Sequence, residues 1–193
     1  MIIASNNRTY KYRKESFMLS NQELELEYTF LASELPKEIA NQTPKRLVDI
    51  YIPETSNHPR LRLRQKGDSY EITKKTPVNE GDASSQIETT IILSPDEFES
   101  LSSASTKRVV KDRYAVTIDG FLAEVDVFME DLAGLVLIDF EFSSEDERNN
   151  FAPPQVCLAD VTQEDFIAGG MLAGKSYVDI ESELNRFGYK SLD

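Results

Sequence analysis

A chain of 193 residues, 40% hydrophobic and 28% charged, has room for one soluble domain with a proper core, or for one domain plus a tail. One cysteine, Cys157, and one histidine, His58, exclude an internal disulfide and a Cys2His2 zinc site. The net charge of −13 argues against general nucleic-acid binding, and no apolar run approaches the length of a membrane span.

Residues 1–22 are polar and basic, with neither a periodic apolar face nor a signal-peptide core. They read as an N-terminal tail before a domain at residues 23–193, and residues 1–17 are expected to be dispensable. The run ELELEYTF (23–30) then alternates strictly, with Glu23, Glu25 and Glu27 on one face and Leu24, Leu26 and Tyr28 on the other. RLVDIYIP (46–53) is a second strand, and RLRLR (60–64) and SYEITKK (69–75) pair across the turn KGD as a hairpin. His58, in the turn-like run SNHPR, is expected to be an exposed loop residue, which argues against Ser-His-Asp or Cys-His catalysis. SQIETTIIL (85–93) ends where Ser94, Pro95 and Glu97 give the signature of a helix start. Residues 107–118 and 121–128 form another hairpin around Asp119-Gly120, and 134–142 is a further strand stopped by Ser144, with Glu147 at capping-box spacing. Two short helices follow, one from Thr162 and one from Ser176 to Phe187, the latter with Tyr177, Ile180, Leu184 and Phe187 as a packing stripe and Gly188 at its end.

About eight hairpin-connected strands with short helices imply an antiparallel α+β or barrel architecture. Several strands carry only one sign of charge on their polar face: Glu25 and Glu27, Arg62 and Arg64, Lys111 and Arg113, Glu124 and Asp126, Asp139 and Glu141. A solvated surface ordinarily mixes signs within a strand. Rolled up with those faces inward, the strands would enclose a polar tunnel. On pattern alone, a sheet with one face in water fits slightly better.

These segments, in this order, resemble the CYTH or triphosphate tunnel family, in its single-domain bacterial type, over residues 23–175. ELEYTFLASELP (25–36) is similar to the family's opening Glu-x-Glu-x-Lys strand, and RLRLRQKGDSYEITKK to its paired arginine and Thr-x-Lys strands. KRVVKDRY resembles the Lys-x-Arg-Tyr segment, AEVDVFMEDLAGLVLIDFEFSSEDE the acidic strand and Glu-x-Glu-Phe strand, and LADVTQEDF the closing Glu-Val-Thr motif. Three positions depart. Thr29 stands where the opening lysine belongs, and a register two residues earlier would put Glu27 there instead. Asp139 and Asp160 replace glutamates, and FIAGG replaces a Tyr-x-Asn.

The resemblance implies a closed eight-stranded antiparallel barrel, with short helices outside and a triphosphate within. It implies that Arg62, Arg64, Lys75, Lys111 and Arg113 bind the phosphates, with Lys111 also catalytic, and that Glu25, Glu27 and Glu141 are catalytic and hold Mg²⁺ or Mn²⁺. Glu88, Glu124, Asp126 and Asp139 are secondary candidates, and for Glu124 and Asp126 a structural salt bridge is an equal alternative. Lys66, Lys74, Lys107 and Arg108 are placed at mouths or outside. The implied activity is metal-dependent hydrolysis of a small-molecule triphosphate in the cytoplasm, inorganic triphosphate first, with thiamine triphosphate or a nucleotide as other substrates. No membrane or nucleic acid is expected as partner. A class IV-type adenylate cyclase, or a non-catalytic triphosphate or polyphosphate binder prompted by Thr29, are the alternatives.

Overall fold

The computed structural model describes residues 22–192, so the expectation that residues 1–17 are dispensable lies outside the described residues. Nine strands run β1 (Gln22–Ala32), β2 (Lys45–Ile52), β3 (Leu61–Lys66), β4 (Ser69–Pro77), β5 (Ser85–Leu93), β6 (Arg108–Ile118), β7 (Phe121–Phe128), β8 (Val136–Glu141) and β9 (Cys157–Asp160). Every pairing is antiparallel, in the order β5-β4-β3-β2-β6-β7-β8-β1, and β1 pairs back onto β5. The first eight strands therefore close into a barrel, as the family resemblance implied. The short β9 was not foreseen. It borders Phe30–Ala32 at the end of β1 that β5 has left, so it extends the wall beyond the closure.

Local chemistry sets the corners. Asp119 and Gly120 both have positive φ (50° and 91°), the mirror-image turn that matches strand twist, and Ile118 faces Phe121 across it. Ser94 and Glu97 form the full capping box of α1 (Pro95–Ser102). Ser144 caps α2 (Glu145–Asn149), but the Glu147 carboxylate accepts from Ser143 rather than from the cap residue's own N–H. The helix read from Thr162 is a 3-10 turn (Asp165–Ile167) followed by α3 (Gly169–Leu172), and α4 (Tyr177–Asn185) begins at a second capping box, Ser176 with Asp179.

The inner faces of the strands change character at one level. Thr29 gives way to Leu31 on β1, Lys111 to Val109 on β6, Asp126 to Phe128 on β7, and Asp139 to Leu137 on β8. These apolar residues pack with Val161, Phe166, Ile167, Leu172, Ile180 and Leu184 from the C-terminal segment into one core cluster. Leu31, Leu172 and Leu184 are wholly buried there, each contributing about 1.5–3 kcal/mol. The C-terminal segment thus forms an apolar floor beneath a charged chamber. A separate cluster on the outer face, including Leu26, Phe30, Phe140 and Phe142, packs with Phe151.

Candidate active site inside the barrel

The chamber has a volume of about 970 Å³, and Arg62, Arg64, Lys75, Lys111 and Arg113 all line it. Strand alternation explains their convergence, since residues two apart on a strand share a face and closure turns that face inward. All the carboxylates singled out from the sequence line it as well: Glu25, Glu27, Glu88, Glu124, Asp126, Asp139 and Glu141. Lys66 lies exposed at the rim, while Lys74, Lys107 and Arg108 are not among the lining residues. His58 departs from its expectation. It is half-buried and lines the chamber, because the following Pro59 is buried beneath Gly170.

One wall is tightly cross-linked. Arg113 donates to both oxygens of Asp126 at 2.7 and 2.6 Å and also contacts Glu124, with Asp139 at 3.6 Å. Lys111 donates to the same Asp126. Arg64 makes a two-pronged pair with Asp49, 2.7 Å at each prong, with side chains only 8% and 2% exposed. Burial by itself would raise the pKa of both aspartates. The facing cations reverse this, Arg64 at Asp49 and Arg113 with Lys111 at Asp126, and hold each well below the usual carboxylate range.

The other wall is looser. Lys75 Nζ lies 2.5 Å from Glu25 Oε2 and donates to the two Glu27 oxygens at 3.1 and 3.2 Å. Lys75 is thus shared between two carboxylates rather than clasped by one. Arg62 makes one 3.2 Å bond to Glu88, and its buried Nε has no hydrogen-bond partner among the described residues. Desolvation pushes the Glu25 carboxyl up to about 7 against the pull of Lys75. Burial, with the charges of Asp126 and Glu27, pushes Asp139 up to about 6. Glu141 is raised too, by burial and then by Glu124 and Glu27.

A model of the CYTH domain matches residues 17–150. The chain belongs to the CYTH family. An inorganic triphosphatase of Nitrosomonas europaea is 37% identical over 142 residues, 72% of this chain and 90% of that relative. The crystal structure of an inorganic triphosphatase aligns with a TM-score of 0.56 at 31% identity, covering 77% of this chain and 93% of the other. A Bacillus halodurans protein described as a candidate adenylate cyclase shares the fold alone, with a TM-score of 0.52 at 14% identity over 90% of this chain and 94% of its own.

Within this CYTH barrel the family departures have local explanations. Thr29 donates to Asp139 at 2.7 Å, and its N–H reaches the Thr162 hydroxyl at 3.0 Å, so the position stays polar and tied to the floor. Gly169 and Gly170 of FIAGG lie against Tyr51 and Pro59. An added Cβ would sit 1.9 Å from the Tyr51 hydroxyl and 2.0 Å from the Pro59 carbonyl oxygen, leaving no space for side chains there. Sequence reading passed over Asp49 and Tyr51. The signal was a lone acid inside the apolar run RLVDIYIP, whose alternation puts Asp49 on the same face as Tyr51 and opposite Arg64.

Among the described residues no three Asp, Glu, His or Cys side chains form a metal-holding group. Glu25 and Glu27 nonetheless converge on one positive charge, the Lys75 ammonium. Two carboxylates completed by water and phosphate oxygens are the usual protein share of a Mg²⁺ site, so the residues fit a divalent cation. Glu141 also lines the chamber, opposite Glu27 in the pairing of β1 with β8.

Proposed function

We propose that this protein hydrolyses a small triphosphate, inorganic triphosphate first, in a reaction dependent on Mg²⁺ or Mn²⁺ bound at Glu25 and Glu27. The observation that carries the reading is the buried Arg62 Nε, without a hydrogen-bond partner among the described residues, in a chamber that also gathers Arg64, Lys75, Lys111 and Arg113. A buried donor without an acceptor is costly, and an anion entering the chamber would satisfy it. The likeness to inorganic triphosphatases supports the choice of substrate.

In this reading Arg62 and Lys75 bind phosphate oxygens directly, because their present partners hold them least firmly. Arg113 and Lys111, fixed by Asp126, present a preset positive surface that costs no reorganisation as charge develops on the transferred group. The cation would polarise the terminal phosphoryl group and lower the barrier to attack by water. In this reading Glu141 and Asp139, which line the chamber and are raised in pKa, would take up the proton from that water. The apolar floor keeps the polar part of the chamber short and excludes solvent from below.

Phosphate release from inorganic triphosphate, thiamine triphosphate and ATP, each with Mg²⁺ or Mn²⁺, tests the proposal. Metal-dependent release, fastest from inorganic triphosphate, is the expected result. A second reading, a triphosphate binder without turnover, is favoured by Thr29 at the family's lysine position and its bond to Asp139. Tight binding with no release under any metal would select it.

A further inference from the structure

Two assignments in the proposed reading compete for one place. Lys75 is to grip phosphate while Glu25 and Glu27 hold the cation, yet in this structure Lys75 Nζ sits between those carboxylates, 2.5 Å from one and 3.1 Å from the other. A divalent ion bound to the same oxygens needs contacts of about 2.0–2.1 Å for Mg²⁺, and an ammonium at these distances blocks it by volume and by charge. Resting on that reading, we propose that Lys75 is an internal stand-in for the metal. It neutralises Glu25 and Glu27 in the empty tunnel, and the arriving divalent cation drives it onto a phosphate oxygen.

The chamber's other cations could not serve in this way. Lys111 and Arg113 share Asp126, whose side chain is 1% exposed, and Arg64 is clasped at both prongs by Asp49. Lys75 is a compact charge on a flexible four-carbon stem, a quarter exposed, and it is shared between two glutamates rather than clasped by one carboxylate. Once displaced, it would have to share the nearest carboxylate on the neighbouring strand with other donors. Glu88, its opposite residue on β5, already accepts from Arg62 and from Thr90. A partly buried ammonium without a partner is unfavourable, and a bound triphosphate supplies one.

The consequence is linkage. Metal frees Lys75 for phosphate, and phosphate removes Lys75 from the metal's place, so each ligand tightens the other by the same factor. Lys75 is in this sense a positioning residue for the metal as well as a phosphate contact.

The test is a Mn²⁺ titration of the full chain, read by the electron paramagnetic resonance of free Mn²⁺ and by calorimetry, with and without a non-hydrolysable imido analogue of triphosphate. In the parent the analogue should tighten Mn²⁺ about tenfold or more, and Mn²⁺ should tighten the analogue equally. Lys75→Met, with Lys75→Gln as the variant that keeps a polar tip should the first not fold, should bind Mn²⁺ alone about tenfold more tightly than the parent and, once the analogue's own binding of Mn²⁺ in solution is subtracted, show a smaller mutual effect, with only the share due to direct metal–phosphate contact remaining. Parental or weaker Mn²⁺ affinity in both variants overturns the stand-in role, as does a parent in which the two ligands ignore each other. Glu25→Gln separates this from the reading beneath it. If that variant binds Mn²⁺ as the parent does with the analogue present, the metal assignment itself is wrong, whatever Lys75 does.

Discussion

The two walls of the chamber are built from the same residue types and are in opposite states of readiness. Across β2–β3 and β6–β7 three chamber cations are matched by carboxylates that are almost wholly buried: Arg64 by Asp49, and Arg113 and Lys111 by Asp126. Around β1, β4 and β5, and at Arg62 two residues before Arg64 on β3, the pairs are partial, with Arg62 holding Glu88 by one bond and Lys75 spread over two glutamates. Short aspartates on adjacent strands lock a guanidinium in place, whereas longer glutamates reaching across the chamber leave donors unsatisfied and pKa values displaced. The first wall is framework that also carries charge, and in the proposed reading the second is where ligands would exchange partners.

The largest effect should come from breaking the framework wall. Asp126→Ala strips two buried cations of their shared partner and should cost about 3–5 kcal/mol of unfolding free energy in a urea titration. If Asp126→Ala is no less stable than Glu88→Gln, the division into framework and exchange walls fails. Next, on the exchange wall, Glu25→Gln and Glu27→Gln keep shape and a hydrogen-bonding oxygen but remove the charge a hard cation requires. Metal-dependent phosphate release should fall at least about 100-fold with the melting temperature little changed. A smaller loss, about 10-fold to 100-fold in KM, is expected for Arg62→Met, which deletes a charge-assisted contact to phosphate. An effect confined to kcat would instead place Arg62 outside ground-state binding.

The pH dependence sharpens the contrast, since the walls pull stability in opposite directions. Asp49 and Asp126 have lowered pKa values, so their contribution is present above the ordinary aspartate range and lost as pH falls below it. Glu25, raised to about 7, and Asp139, raised to about 6, contribute in the opposite sense. They bind protons in the folded state that the unfolded chain releases, so that part is lost as pH rises through 6 and 7. Without metal the melting temperature should therefore peak in mild acid and decline towards pH 8, by roughly 2–4 °C per kcal/mol for a chain of this size. Mn²⁺ should raise it more at pH 8 than at pH 6, because the ligand must be deprotonated. A Glu25→Gln variant with the same profile would clear Glu25 of responsibility. The smallest expected change is from Thr29→Lys, which would place an ammonium beside Asp139 and hold that carboxylate ionised. A gain of a few-fold in triphosphate affinity or turnover, about 1 kcal/mol or less, is expected from one added cation in an already crowded field.

Sequence alone determined the eight barrel strands, their hairpins and the polar face of each, because period-two alternation and turn residues such as Asp119-Gly120 and Ser94-Pro95 are local instructions. It also picked out Arg62, Arg64, Lys75, Lys111 and Arg113 of the chamber, since RLRLR, TKK and KDR carry one sign on one face. Whether those faces met water or one another was decided only by closure, a long-range pairing of β1 with β5 that no window of sequence contains. The same holds for partners. Asp49 looked like an isolated acid in an apolar strand until register set it against Arg64, and the FIAGG segment looked like motif loss until its glycines came to rest on Tyr51 and Pro59. Tertiary structure also divided alike charges into fixed and exchangeable ones. That division depends on how deeply a carboxylate is buried and on how far it must reach, and both are distances across the barrel rather than along the chain.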